Sequence, residues 1–198
     1  MERTNVCESQ YNPLTKSVIR GMIEQLTRRT EDMHKKVFQI LVDNTSGVLS
    51  RISGLFSRRG YNIESITAGT TADPRFTRIT IVASGDDLIL EQIEKQVRKL
   101  VDVRSIKELH PENSVYRELL LIKVETTPEQ RAGVISVADI FRAKIIDVAP
   151  ESLIIELTGN QAKIDAFIGL LDGYKILELA RTGIAGLTRG ADEVIWLE

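Results

Sequence analysis

Side chains able to do covalent or metal chemistry are scarce in this sequence: two histidines and one cysteine among 198 residues. His34 stands just ahead of the first expected strand and His110 in a polar connection, and neither has an i,i+4 partner that would place two ligands on one helix face. Both read as solvent-facing residues. Cys7 alone allows no internal disulfide and no cysteine-based metal cluster, which suits a reducing compartment. Asp86-Asp87 suggests a cation, but two carboxylates at a helix start are explained by the helix dipole. Arg28-Arg29 and Arg58-Arg59 could touch phosphate, yet acids are spread along the chain and the formal net charge is -2, which fits a charged solvent face better than a nucleic-acid site. No G-x-G-x-x-G or Walker loop supports nucleotide binding, and no nucleophile, base and orienting group come together. The sequence therefore predicts a chain without catalytic residues and without a metal site.

One constellation points to binding. Asp43-Asn44-Thr45-Ser46-Gly47 reads as a turn that leads straight into a helix starting near Val48. Unpaired backbone N–H groups at a helix start, with the helix dipole behind them, suit a carboxylate. Gly47 permits close approach to the backbone, and the Asn44 amide offers both a donor and an acceptor for the two charged ends of a free amino acid. From spacing alone the simpler reading is favoured: Asn44 or Ser46 caps the helix. Asn62, on an expected edge strand, is compatible with either.

The elements that must hold this turn come from an internal repeat. Lys36–Val42 is a short apolar run; Val48, Leu49, Ile52, Leu55 and Phe56 recur at helical spacing; Gly60 ends that helix. Tyr61-Asn62-Ile63 opens one strand and Phe76-Thr77-Arg78 the next, joined through Asp73-Pro74. A second helix opens at Asp86-Asp87, with Leu90, Ile93, Val97 and Leu100 inward and the pairs Glu91/Lys95 and Glu94/Arg98 outward; the run from Val101 to Leu109 closes the unit. The same order recurs: a strand from Arg117, a helix over Pro128–Phe141 with Val134, Val137, Ile140 and Phe141 as its apolar positions, two strands, a helix over Gln161–Leu171 and a strand from Tyr174 to Ala180. Ile79–Asp87 aligns with Leu153–Gln161 without a gap. Two βαββαβ units predict an α+β protein of two tandem ferredoxin-like domains, each an antiparallel sheet with two helices on one face.

Hydrophobic residues at 42% and charged residues at 27% are ordinary for a globular chain. No apolar run approaches the roughly 20 residues that span a bilayer, and Met1–Thr15 lacks a signal-peptide core, so a cytoplasmic protein without membrane or nucleic-acid partners is expected.

The stretch from Asp43 to Ile66, with Leu90–Val103 and Glu178–Gly190, closely resembles the regulatory (small) subunits of acetolactate synthase, over about Lys36–Gly190. The resemblance implies an N-terminal ACT domain for amino-acid sensing at 35–110, a linker at 111–114, a C-terminal ACT-like ferredoxin domain at 115–182 and a tail at 183–198. It implies a homodimer through the ACT domains that binds valine or another branched-chain amino acid at the interface, with Asn44, Gly47, Val48 and Leu49 from one protomer and Asn62 and Ile63 from its partner. It also implies a catalytic large subunit as partner, which carries thiamine diphosphate, magnesium and FAD, while this chain carries no cofactor, activates that enzyme and confers feedback inhibition. In the second repeat Thr127 is aligned with Asn44, Gln130 with Gly47 and Ile145 with Asn62, so the ligand turn is read as lost there and the unit as a docking or packing module. For residues 1–34, the N-terminal arm, two readings stay open: an extension ahead of a start at Met33, or a genuine amphipathic helix over 15–31 (Val18, Ile19, Met22, Ile23, Leu26). A free-standing ACT-type, amino-acid-responsive transcription regulator is the alternative function, but it needs a helix-turn-helix and only the arm could supply one helix of it.

Overall fold

The computed structural model describes residues 34–191, so the expected arm helix, Cys7 and Trp196 lie outside the described residues. The first repeat consists of β1 (His34–Asp43), α1 (Val48–Arg59), β2 (Asn62–Thr70), β3 (Phe76–Gly85), α2 (Asp87–Val97) and β4 (Val103–Leu109). Its strands form an antiparallel sheet in the order β2-β3-β1-β4. The second repeat consists of β5 (Ser114–Glu125), α3 (Pro128–Phe141), β6 (Lys144–Val148), β7 (Ser152–Gly159), α4 (Gln161–Leu170) and β8 (Ile176–Arg181), in the sheet order β6-β7-β5-β8. A ninth strand, β9 (Ala185–Thr188), pairs with the start of β5.

Each repeat has its own core, built by the two periodicities meeting. Phe38, Ile40 and Val42 of β1 and Ile79, Ile81 and Ala83 of β3 alternate onto the helix face, as period-2 strands must. Val48, Ile52, Leu55 and Phe56 of α1, with Leu90, Ile93 and Val97 of α2, close over them. The second core repeats the plan with Leu120, Ile122 and Val124, Leu153, Ile155 and Leu157, and Val134, Ala138, Ile164 and Phe167. Helix ends obey local chemistry. Gly60 takes a left-handed conformation (φ 66°) and returns its N–H to α1, Asp86 accepts from Ile89 N at 2.8 Å, and Asn160 accepts from Lys163 N at 3.0 Å. The last two caps occupy matching places in the gapless alignment of the repeats, so the duplication holds down to single hydrogen bonds.

Four details depart from expectation. Ile140, read as an inner position of α3, is 74% exposed, and Ala138 is buried in its place. The helix at 161 ends at Leu170, one residue early, because Leu171 turns out of it. The 111–114 linker is shorter than expected, since β5 already begins at Ser114. The stretch expected as a tail from 183 instead folds back: Ser114, Val115, Tyr116 and Arg117 pair in turn with Thr188, Leu187, Gly186 and Ala185. This β5–β9 ribbon and the residues leading into it lie over the first sheet on the side away from its helices. Gln39, Leu41, Thr80, Val82 and Ser84 on that side are all buried, as is Ile184 of the returning segment.

Candidate functional site

The turn between β1 and α1 is four residues long, and Gly47 is its last. Gly47 occupies the position before the first helical turn with φ 87° and ψ -7°, a left-handed conformation that costs an L-residue about 1–2 kcal/mol. No side chain caps α1. The capping reading of Asn44 and Ser46 is therefore excluded, because Asn44 points elsewhere: its Nδ2 donates to Pro74 O (2.9 Å) and its Oδ1 accepts from Thr77 Oγ1 (3.1 Å). Asn44 thereby ties the turn to the β2–β3 connection, and both ends of its amide are engaged within the chain. Backbone bonds from Asn44 N to Arg75 O (2.7 Å) and from Asp43 N to Asp102 O (2.9 Å) complete the tether.

Two guanidinium–carboxylate forks stiffen the turn, and neither is legible from spacing. Arg51 binds Asp102 through Nε and Nη2 at 2.6 and 2.8 Å, and this bond holds the Asp102 carboxyl below the usual carboxylate range. Arg104 binds Asp43 at 2.7 Å through both contacts. The acids of the turn are thus neutralised by their own partners. The uncapped helix start thus presents free N–H groups with no open negative charge beside them, an arrangement that suits an anion. A cavity of about 240 Å³ opens here, walled by Asn44, Ser46, Gly47, Val48, Thr77 and Ile79 among others. Pockets for drug-sized ligands measure about 300–1,000 Å³, so this smaller space suits a molecule the size of one amino acid. Val48 is buried in the core at the cavity wall, whereas Leu49, also in the wall, is 48% exposed. A Cβ added to Gly47 would sit 3.0 Å from Arg51 Nη1.

Asn62 and Ile63 stand elsewhere. Asn62 lies opposite Ser84 and donates to its Oγ at 3.0 Å, while Ile63 turns to the other face and packs on the first core. Ser84 is opposite Lys35, near the beginning of β1, and Val42, beside the turn, is opposite Thr77. Seven residues of strand therefore separate the two halves of the expected site along the sheet, more than about 20 Å at roughly 3.3 Å per residue. Within one chain they cannot hold one amino acid.

The second repeat closes the equivalent place. Only Thr126 and Thr127 separate β5 from α3, against four residues in the first repeat. Thr127, not Gln130, takes the position of Gly47 and forms a capping box: its Oγ1 accepts from Gln130 N and its own N–H donates to Gln130 Oε1. Arg131 Nη2 donates to the carbonyls of Ala149 and Pro150 at 2.8 and 2.7 Å. Counting from the helix end also revises the pairing of positions. Lys144 follows the left-handed Arg142 as Asn62 follows the left-handed Gly60, so Lys144 stands where Asn62 does and Ile145 corresponds to Ile63. Among the described residues no group of three or more histidines, cysteines and acids is placed to hold a metal ion, and no helix is long and apolar enough to cross a membrane.

Comparison with known proteins agrees with this architecture. Residues 38–105 match the family model described as an AHAS small subunit-like ACT domain, and residues 117–190 match that of the small subunit of acetolactate synthase. The chain is 49% identical over 156 residues to a probable acetolactate synthase small subunit of Archaeoglobus fulgidus, covering 79% of this chain and 98% of that one. It is 46% identical over 157 residues to the small subunit of acetolactate synthase isozyme 3 of Escherichia coli, covering 79% and 96%. The crystal structure of an acetolactate synthase small subunit from Thermotoga maritima superposes with a TM-score of 0.74 at 44% identity, over 80% of this chain and 99% of that one. With its two ferredoxin-like repeats, its open first turn and its closed second one, the chain belongs to the family of acetolactate synthase small subunits.

Proposed function

We propose that this chain is a regulatory subunit that binds valine, or a related branched-chain amino acid, at the start of α1 and thereby sets the activity of an acetolactate synthase catalytic subunit. The observation that carries the reading is the uncapped, left-handed start at Gly47 opening into an amino-acid-sized cavity. In this reading the N–H groups after Gly47 receive the carboxylate, and Leu49 at the rim meets the aliphatic side chain.

The ammonium end needs a second copy. β2 is an edge strand, and such an edge invites strand pairing. Antiparallel pairing of two β2 edges about a two-fold axis near Ile66 sets Asn62 of the partner subunit opposite Thr70, whose neighbour across the sheet is Thr77. Thr77 in turn binds Asn44. Because the Asn62 amide nitrogen is engaged with Ser84, its carbonyl oxygen is the group left to accept from an ammonium. The chemistry itself belongs to the catalytic partner, to which thiamine diphosphate, magnesium and FAD are assigned.

The test is reconstitution: acetolactate formation by the catalytic subunit with and without this chain, and with and without valine. Activation by the chain and inhibition by valine are expected. A hydrogen bond to a charged group contributes about 1.5–3 kcal/mol, so Asn62→Ala should weaken valine binding by roughly 10- to 100-fold. Unchanged inhibition in that variant, or a monomer in sedimentation with valine present, would overturn the shared site.

A further inference from the structure

The segment returning from β8 touches the strand that carries Asn62 and Ile63. Thr67 Oγ1 of β2 donates to Thr182 O at 3.0 Å. Gly183 has φ 80°, and a Cβ built on it would lie 2.8 Å from Ser65 Cβ and 3.1 Å from Ser65 Oγ. The backbone there approaches β2 as closely as only glycine permits. Two strands over, on β1, the buried Gln39 amide donates to Gly186 O at 2.7 Å, and on β4 beyond it Lys107 Nζ donates to Thr188 Oγ1 at 3.1 Å.

The other side of the same segment is fastened to the second repeat. Thr182 N donates to Leu119 O (3.1 Å), and Thr182 Oγ1 accepts from Leu119 N (3.1 Å). The preceding residue, Arg181, holds Glu118 through two contacts of 2.8 Å and reaches Asp165 of α4 at 3.0 Å. One residue, Thr182, is thus bonded to β2 through its backbone carbonyl and to β5 through its hydroxyl and backbone N–H.

The packing around this seam is sparse. A cavity of about 390 Å³ lies on one side, bordered by Glu64, Ser65, Glu118 and Arg181, and one of about 420 Å³ on the other, bordered by Thr67, Gly69, Arg78 and Leu187. Close-packed interfaces resist displacement; here a buried strip that includes Leu41, Val82 and Ile184 is flanked by open space on both sides. The register of β2 on β3 shifts between Ile63 and Ser65, between the expected ligand residues and the strap contacts, where an irregular ladder can absorb a small movement.

We propose that Thr182–Thr188 is the coupling strap of this protein: occupation of the amino-acid site repositions β2, and Thr67 and Ser65 pass the change through Thr182 and Gly183 to β5 and β8. The strap rests on the effector reading above and adds the route by which that site reaches the second repeat. A ligand shifts an equilibrium only through contacts that differ between its states, and the strap supplies such contacts at both ends.

The experiment uses the reconstituted enzyme with two variants of this chain. Thr67→Val keeps shape and removes one hydrogen bond; Gly183→Ala drives a methyl group into Ser65. For each, valine binding to this chain alone is measured by calorimetry, and inhibition of the complex by a dose–response curve. Valine affinity is expected to stay within about threefold of wild type, while inhibition at saturating valine drops at least twofold, more for Gly183→Ala, with activation retained. Full inhibition in both variants would overturn the strap. Loss of valine binding in Thr67→Val would overturn it as well, placing the strap inside the binding site. A wild-type chain that binds no valine would instead remove the effector reading, and the coupling with it.

Discussion

The two repeats share a fold and differ in what each leaves open. The first leaves its helix start uncapped and buries both faces of its sheet; the second caps its helix start and leaves the outer sheet face to solvent. Two positions on the outer sheet faces make the contrast plain. Gln39 lies between core-facing Phe38 and Ile40 of β1, and Leu121 between core-facing Leu120 and Ile122 of β5, so both point away from the helices. The glutamine is 6% exposed and the leucine 36%, which inverts the usual ranking of inside and outside residues. Gln39 is tolerated inside because its amide reaches Gly186 O, as a buried polar group requires. A duplicated fold has thus been divided, one copy keeping an uncapped helix start and the other supplying the ribbon that covers its neighbour.

The strongest challenge to this contrast is at the seam. The Glu118 side chain is only 5% exposed and is paired with Arg181, which holds its carboxyl below the usual range. Removing one member of a buried pair costs about 3–5 kcal/mol; Asp165 remains for Arg181, so Glu118→Ala should lie at the low end of that range in urea unfolding. The pH dependence has a definite sign. The pair stabilises the fold fully above the unfolded carboxyl value of about 4.3 and loses its contribution as pH falls through the lower folded value. Glu118→Gln should flatten that acid limb. An unchanged limb would place the acid sensitivity elsewhere.

Exchanging the inverted residues comes next. Gln39→Leu leaves Gly186 O buried without its donor, a loss of about 1–3 kcal/mol, whereas Leu121→Gln on the open face should stay within about 0.5 kcal/mol. Equal midpoint shifts for the two would mean that the strap does not cover the first sheet in solution.

The smallest effect sharpens the contrast of the helix starts. Thr127→Ala removes a working cap and should cost about 1 kcal/mol. Ser46→Ala, at a start that has no side-chain cap, should leave the unfolding midpoint in place. A comparable loss at Ser46 would revive the capping reading.

Much of this was legible in the chain. Period-2 and helical spacing marked the strands and helices of both repeats, and Gly60, Asp86 and Thr127 are ends or starts that local chemistry announces. The Gly47 turn was legible as a candidate for the same reason. The forks Arg51–Asp102 and Arg104–Asp43 were not, since their partners are 51 and 61 residues apart and no periodicity links them. The pairing of Thr127 with Asn44 failed because a gapless alignment cannot see a turn shortened from four residues to two; only strand register and helix start reveal it. Ile140 failed because helical spacing marks a face without saying how far the neighbouring sheet extends beneath it.

The sequence by itself determined the repeated βαββαβ order, the two cores and the one turn that glycine opens, because each follows from interactions within a few residues of chain. Only the tertiary structure decided which sheet face is covered, that the stretch after Arg181 is a strap, and that Asn62 lies too far from Gly47 to share a ligand within one chain. The first two outcomes depend on where segments more than a hundred residues apart come to rest, as Gln39 and Gly186 do, and the third on the register of β2 and β1 against β3; a one-dimensional pattern carries no record of either.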